Sequence, residues 1–147
     1  MAAIARSKVS IRLFGDDLDP AEITAILGRT PTKQYRKGPH RVSAERTYQR
    51  KYGAWIVVAE HCEPEAINTQ LSSLLSSMTQ DLAVWRELGT RYDVDVFYGV
   101  FMNETNEGFS LMPATLQALA DRGLEIGFDV YAPTEEDTPI AKVGSET

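Results

Sequence analysis

The chain predicts an α+β fold, a single-layer, mostly antiparallel sheet with helices packed on one face. Three observations predict it. Runs with the two-residue alternation of strands stand near the start, in the middle and at the end of the chain. Apolar stripes at helical spacing lie between them. The resulting order is strand, helix, strands, helices, strand, helix, strand, which departs from the strict alternation of a parallel α/β fold. At 147 residues, 43% hydrophobic and 24% charged, the chain is long enough for one well-cored domain. That domain is expected over residues 1–131, with a frayed acidic tail over 132–147.

The organising stretch is residues 14–28, F-G-D-D-L-D-P-A-E-I-T-A-I-L-G. Val9, Ile11 and Leu13 alternate with Ser10 and Arg12 as a strand with one buried face, and Gly15 frees the turn that follows. Asp16 can cap that turn. Asp19 is placed as the N-cap of a helix, Pro20 at its first position and Glu22 where it can close a capping box. Removing such a cap costs about 1 kcal/mol, so Asp19 has a structural task before any chemistry is invoked. Ile23, Ile26 and Leu27 share one face, and Gly28 suits the left-handed residue that ends the helix.

Residues 33–51 hold seven of the fifteen basic side chains and one acid, interleaved with Tyr35, Tyr48 and His40. The apolar run 55–59, opened by Trp55, reads as a central strand buried on both faces that anchors the sheet. Pro64 opens a helix in which Ile67, Leu71, Leu74, Leu75 and Met78 form one stripe. Asp81 caps a second helix carrying Leu82, Trp85 and Leu88. Residues 94–102 alternate Val94, Val96, Tyr98 and Val100 with Asp95, Phe97, Gly99 and Phe101, the longest strand expected. Ser110 caps a helix with Leu116 and Leu119, and Leu124, Ile126, Phe128 and Val130 form one face of a last strand opposite Glu125, Asp129 and Tyr131.

The segment from Leu18 and Pro20 to Ile26 echoes the one from Leu111 and Pro113 to Leu119. Two arrangements stay open: ferredoxin-like, pseudo-duplicated strand-helix halves, or the same elements without duplication. The opening motif, the Thr30-Pro31-Thr32 that follows it, Gly53 and Trp55, the helix after Ser110 and the closing Phe128-Asp129-Val130-Tyr131 also carry a likeness. Together they resemble the bacterial domain-of-unknown-function 4279 family over nearly the whole chain. The resemblance implies a small bacterial single-domain protein and carries no activity or catalytic residues across.

The net charge of -6 argues against broad nucleic-acid affinity, because phosphate binding needs a dominant positive field. One cysteine excludes an internal disulfide and suits a reducing compartment. No run is apolar enough for a signal peptide or a membrane span, and a cytoplasmic protein is expected.

Candidate sites divide unevenly. Asp16, Asp17 and Asp19 lack the glycine and bidentate glutamate of a calcium loop, so no metal is expected there. His61 and Cys62 would point apart as strand neighbours, a poor start for a nucleophile and its base unless the strand has already ended. No catalytic constellation and no cofactor motif stands out, and the protein is expected not to be an enzyme. The strongest binding candidate is the basic arm, with Arg36, Lys37, His40, Arg41, Arg46 and Arg50, while Asp93, Asp95, Glu125 and Asp129 supply a surface of opposite sign. That polarity suits steered docking to a protein partner or self-association as a homodimer. The leading expectation is therefore a protein-binding, immunity- or inhibitor-like module. The alternative is a module that uses the basic arm to bind a ligand or nucleic acid.

Overall fold

The computed structural model describes residues 2–3, 6–41, 47–62 and 66–133, with side chains over 6–39, 49–62 and 66–133. In chain order, β1 is Ala2–Ala3, β2 Arg6–Gly15, α1 Pro20–Leu27 and β3 Lys33–Tyr35. There follow β4 at Gly38–Arg41, β5 at Thr47–Arg50, β6 at Gly53–Val58 and α2 at Ile67–Ser76. The chain continues through α3 at Leu82–Arg91, β7 at Asp93–Phe101, β8 at Glu107–Gly108, α4 at Pro113–Asp121 and β9 at Glu125–Tyr131.

The fold is α+β. Five strands make the main sheet in the order β3-β6-β2-β7-β9, antiparallel throughout except for the outer pair of β7 and β9. β4 and β5 form a separate hairpin, and β1 pairs with β8. Alternation in β2 sends Val9, Ile11 and Leu13 to one face, where Trp55 and Val57 of β6 and Val96, Tyr98 and Val100 of β7 join them. Against this face pack Ile23 and Leu27 of α1, Leu71 and Leu75 of α2, Trp85 and Leu88 of α3, and Leu119 of α4. All four helices contribute to this one core.

The expectations of a central Trp55 strand and of a longest strand at 94–102 are corrected, and one of the two open arrangements falls away. The Trp55 strand is second from an edge rather than central, and its Ile56 and Val58 are only half-buried because they face the side without helices. The centre belongs to β2, which at 10 residues also exceeds the 9 of β7. Nor are there two equivalent strand-helix halves. β2 and β6, on either side of α1, run antiparallel, whereas β7 and β9, on either side of α4, run parallel.

The first helix begins and ends as its residues dictate. Asp19 is extended and accepts a hydrogen bond from the Ala21 amide at 3.1 Å, Pro20 opens the helix, and Gly28 closes it at φ 73° with its amide on the Thr24 carbonyl. Glu22 does not complete a capping box. Its carboxylate accepts from Arg91 Nη1 at 2.8 Å, because the last turn of α3 lies beside the start of α1. The start of α4 differs too, since its N-cap is Met112 and not Ser110. Asn68 of α2 fastens that end instead, accepting from the Met112 amide at 2.9 Å and from Thr115 Oγ1 at 2.6 Å while donating to the Ser110 carbonyl. The helix expected from Pro64 begins at Ile67, and Pro64 lies outside the described residues, as does the tail from 134 onward. No helix among the described residues is long and apolar enough to cross a membrane.

Tyr92, at the end of α3, is 5% exposed, and burial raises its phenol above the ordinary value of 10.0. The folded state thus holds the proton more tightly than the unfolded chain. Stability is intact below the unfolded phenol's pKa and is lost as pH climbs through the folded one. A urea midpoint measured from about pH 8 to about pH 11 should fall across the upper part of that range, and less steeply in Tyr92→Phe. At the lower pH the variant loses the Arg91 Nη2 hydrogen bond to the hydroxyl, 2.7 Å in the wild type, at about 1 kcal/mol.

Candidate functional site

The basic arm does not stand free of the domain. Arg36 Nη2 lies 2.7 Å from Asp19 Oδ1, and Lys37 Nζ lies 3.7 Å from Asp16 Oδ2. Two cations of the arm are thereby matched by carboxylates of the opening loop, and Asp19 serves both its helix cap and Arg36. Arg50 stacks over the Tyr35 ring with its guanidinium carbon 4.2 Å from the centroid. His40 and Arg41 sit in β4 opposite Tyr48 and Thr47, and their side chains are outside the described set. Arg46 lies outside the described residues altogether. The structure therefore gathers Arg36, Lys37 and Arg50, the members of the set whose side chains are described, around the opening loop and β3.

Two other candidates separate in space. Cys62 opens onto a hollow of about 390 Å³ with Arg29, Gln70 and Ser73, whereas His61 opens onto one of about 330 Å³ with Arg6, Lys8 and Phe101. The two residues thus border different hollows, although the strand that carries Trp55 has already ended at Val58. Among the described residues no three His, Cys, Asp or Glu side chains are grouped so as to hold a metal ion.

What the fold does assemble is the sheet face that carries no helix. Register places Arg6, Lys8, Arg12 and Phe14 of β2 on it, with Asp95, Phe97 and Phe101 of β7 on the neighbouring strand. Lys33 and Tyr35 of β3 share this face on one flank, and Glu125, Asp129 and Tyr131 of β9 on the other. At its centre Arg12 grips Asp95 through two hydrogen bonds, from Nε at 2.8 Å and Nη2 at 2.7 Å. The hydrogen bonds to Asp95 raise the Arg12 pKa above its already high value, against the opposing effect of burial.

Rings and cations alternate around that pair. The Arg12 guanidinium lies 4.5 Å from the Phe97 centroid and 5.2 Å from that of Phe14, and Arg6 lies 4.5 Å from that of Phe101. Phe101 in turn stacks on Tyr131 at 4.9 Å, with planes 8° apart. The Tyr131 hydroxyl donates to Asp129, which raises the pKa of the phenol. The result is a face divided by sign. Cations occupy β3 and β2, carboxylates occupy β7 and β9, and aromatic rings run between them. Arg6, Lys8, Lys33, Glu125 and Tyr131 are exposed.

Sequence reasoning named the acidic half of this face and missed the basic half. The signal was available, because Arg6 and Lys8 continue the same parity as Ser10 and Arg12; β2 simply begins three residues before the alternation that was recognised.

An α+β domain with a helix layer on one side and an open, charge-divided sheet on the other is the class of protein this fold and surface define. The chain belongs to the family described as Domain of unknown function (DUF4279), which matches residues 5–133. No curated protein and no solved structure matches it.

Proposed function

We propose that this is a non-catalytic protein-binding module, immunity- or inhibitor-like in kind, working in the bacterial cytoplasm and docking through the helix-free face of its sheet. The observation that carries the reading is the division of that face into a basic strip on β2 and β3 and an acidic strip on β7 and β9. Such a pattern favours a partner with the two signs in the opposite order and repels one with them reversed, so it supplies orientation as well as attraction. The interleaved rings add contact area. Because Arg12, Phe97 and Phe14 already hold one another, ordering them costs little entropy on binding.

The basic-arm alternative has less support, since Asp19 and Asp16 already neutralise Arg36 and Lys37 within the chain. Stacking of nucleic-acid bases on the sheet is disfavoured for a similar reason. Phe97, Phe14 and Phe101 carry an arginine, and bases would have to displace it.

The test is a pull-down at physiological salt with three baits: wild type, Arg6→Glu/Lys8→Glu on the sheet face, and Arg36→Glu/Arg41→Glu/Arg46→Glu on the arm. A protein partner held by wild type and the arm variant, and weakened at least tenfold by the face variant, is the expected result. Loss in the arm variant alone transfers the site to the arm. Light scattering on the same samples identifies a second copy of the chain if that is the partner, since a homodimer doubles the mass and the face variant then returns it to monomer.

A further inference from the structure

On the opposite side of the molecule, α2 and α4 border a groove of about 560 Å³. Ser72, Ser73 and Ser76 line it from α2, Thr115 and Ala118 from α4, and Arg122 stands at the end of α4. Leu71, Leu75 and Met112 supply apolar wall. Arg122 is only 9% exposed, yet no carboxylate among the described residues pairs with it.

The guanidinium has five N–H donors. Nη1 gives one to the Ala118 carbonyl at 3.0 Å, an ordinary use of an arginine at a helix C-terminus. Nη2 gives one to Gln80 Oε1 at 3.0 Å. Gln80 is held in that orientation because its Nε2 donates to the carbonyls of Leu75 and Met78, both at 2.8 Å. Nε is shut away from solvent with no acceptor among the described residues. A buried cation is normally met by a counter-charge, because neutral dipoles alone recover little of its lost hydration. Here the fold provides two neutral oxygens and leaves a donor unused beside a groove walled by hydroxyls and leucines.

We propose that this groove binds a small monocarboxylate with a short apolar body, its carboxylate on Arg122 and its chain along Leu71, Leu75 and Met112. A carboxylate takes two parallel N–H donors from a guanidinium in one plane, which would use the second hydrogens of Nη1 and Nη2 that Ala118 and Gln80 leave over. Ser72, Ser73 and Ser76 offer the remaining lone pairs hydroxyl partners. The apolar part of the wall, Leu71, Leu75, Met112, Ala114 and Ala118, favours an apolar body over a second charged group. Nothing in this site depends on the sheet face, so the two readings stand or fall separately.

The probe is hexanoate, with hexanol at equal concentration as the uncharged control and inorganic phosphate as the compact anion. Binding is followed by thermal shift and by amide chemical shifts. Hexanoate should raise the melting temperature saturably and move amides of α2 and α4, while hexanol should do neither. Arg122→Gln should weaken hexanoate at least tenfold, and Arg122→Lys should retain part of the binding. Should Arg122→Gln fail to fold, Ser76→Met fills the groove while leaving Arg122 and its hydrogen bonds in place, and should abolish binding by itself. Equal responses to hexanoate and hexanol, tighter binding of phosphate than of hexanoate, or hexanoate binding unchanged in Ser76→Met would overturn the proposal.

Discussion

Trp55→Ala is expected to remove roughly 3–5 kcal/mol of unfolding free energy, the usual cost of deleting a large aromatic side chain from a core. Trp55 is fully buried in β6 on the helix side of the sheet. Its Nε1 donates to Thr24 Oγ1 at 3.0 Å, so the indole both fills the space beneath α1 and ties that helix to the sheet. Truncation therefore opens a cavity and releases the threonine hydroxyl together. Trp55→Phe separates the two contributions, keeping most of the volume and losing the hydrogen bond, and should cost about 1–2 kcal/mol. Chemical denaturation of the three proteins, compared at equal slope, measures both. A loss below 1 kcal/mol for the alanine variant would mean that the first helix is not held by this residue.

Gly53→Ala should be damaging out of proportion to one added methyl group, at about 2–3 kcal/mol, the upper part of the overpacking range. A Cβ at position 53 would stand 2.9 Å from the Leu18 carbonyl oxygen and 3.2 Å from that of Gly15. Those are backbone atoms of the end of β2 and of the turn that follows it, and they cannot rotate away as a side chain would. Gly53 pairs in register with Gly15, so the turn settles directly on the first residue of β6. By contrast, Gly89→Ala, where nothing lies within 4 Å of the new carbon, should be neutral or slightly stabilising because the position is helical. A shared denaturation series gives both values, and a Gly53→Ala loss no larger than that of an ordinary surface substitution would refute the argument.

The sequence revealed local structure far more readily than what meets what. Asp19, Pro20 and Gly28 declared the first helix because capping is a matter of adjacent residues, and the two faces of β7 and β9 followed from alternation alone. Strand order was not legible, because alternation in the 55–59 run says how a strand is buried and nothing about which neighbours it takes. The ion pairs of Arg36 with Asp19 and of Lys37 with Asp16 were invisible for the same reason, and the arm consequently read as more independent than it is. Glu22 followed its local rule on paper and was taken by Arg91, a partner from two helices later. Of the sheet face, Asp95, Glu125 and Asp129 were legible as an acidic surface, but their opposition to Arg6, Lys8 and Arg12 required the register. Arg122 gave no signal at all. An arginine just after a helix ordinarily extends into solvent, and only the approach of α2 to α4 encloses this one.

The placing of β2 between two partners, and of β9 beside only one, also grades the domain by how readily its parts open. Amides of β2 lie where exchange with solvent requires disruption of the whole sheet, while β9 and α4 can peel away as one unit at smaller cost. That unit carries one wall of the groove and ends α4 at Arg122. Whatever occupies the groove binds only while the unit is seated, so by mass action it would slow the opening of this edge and leave the central strand's exchange set by global unfolding.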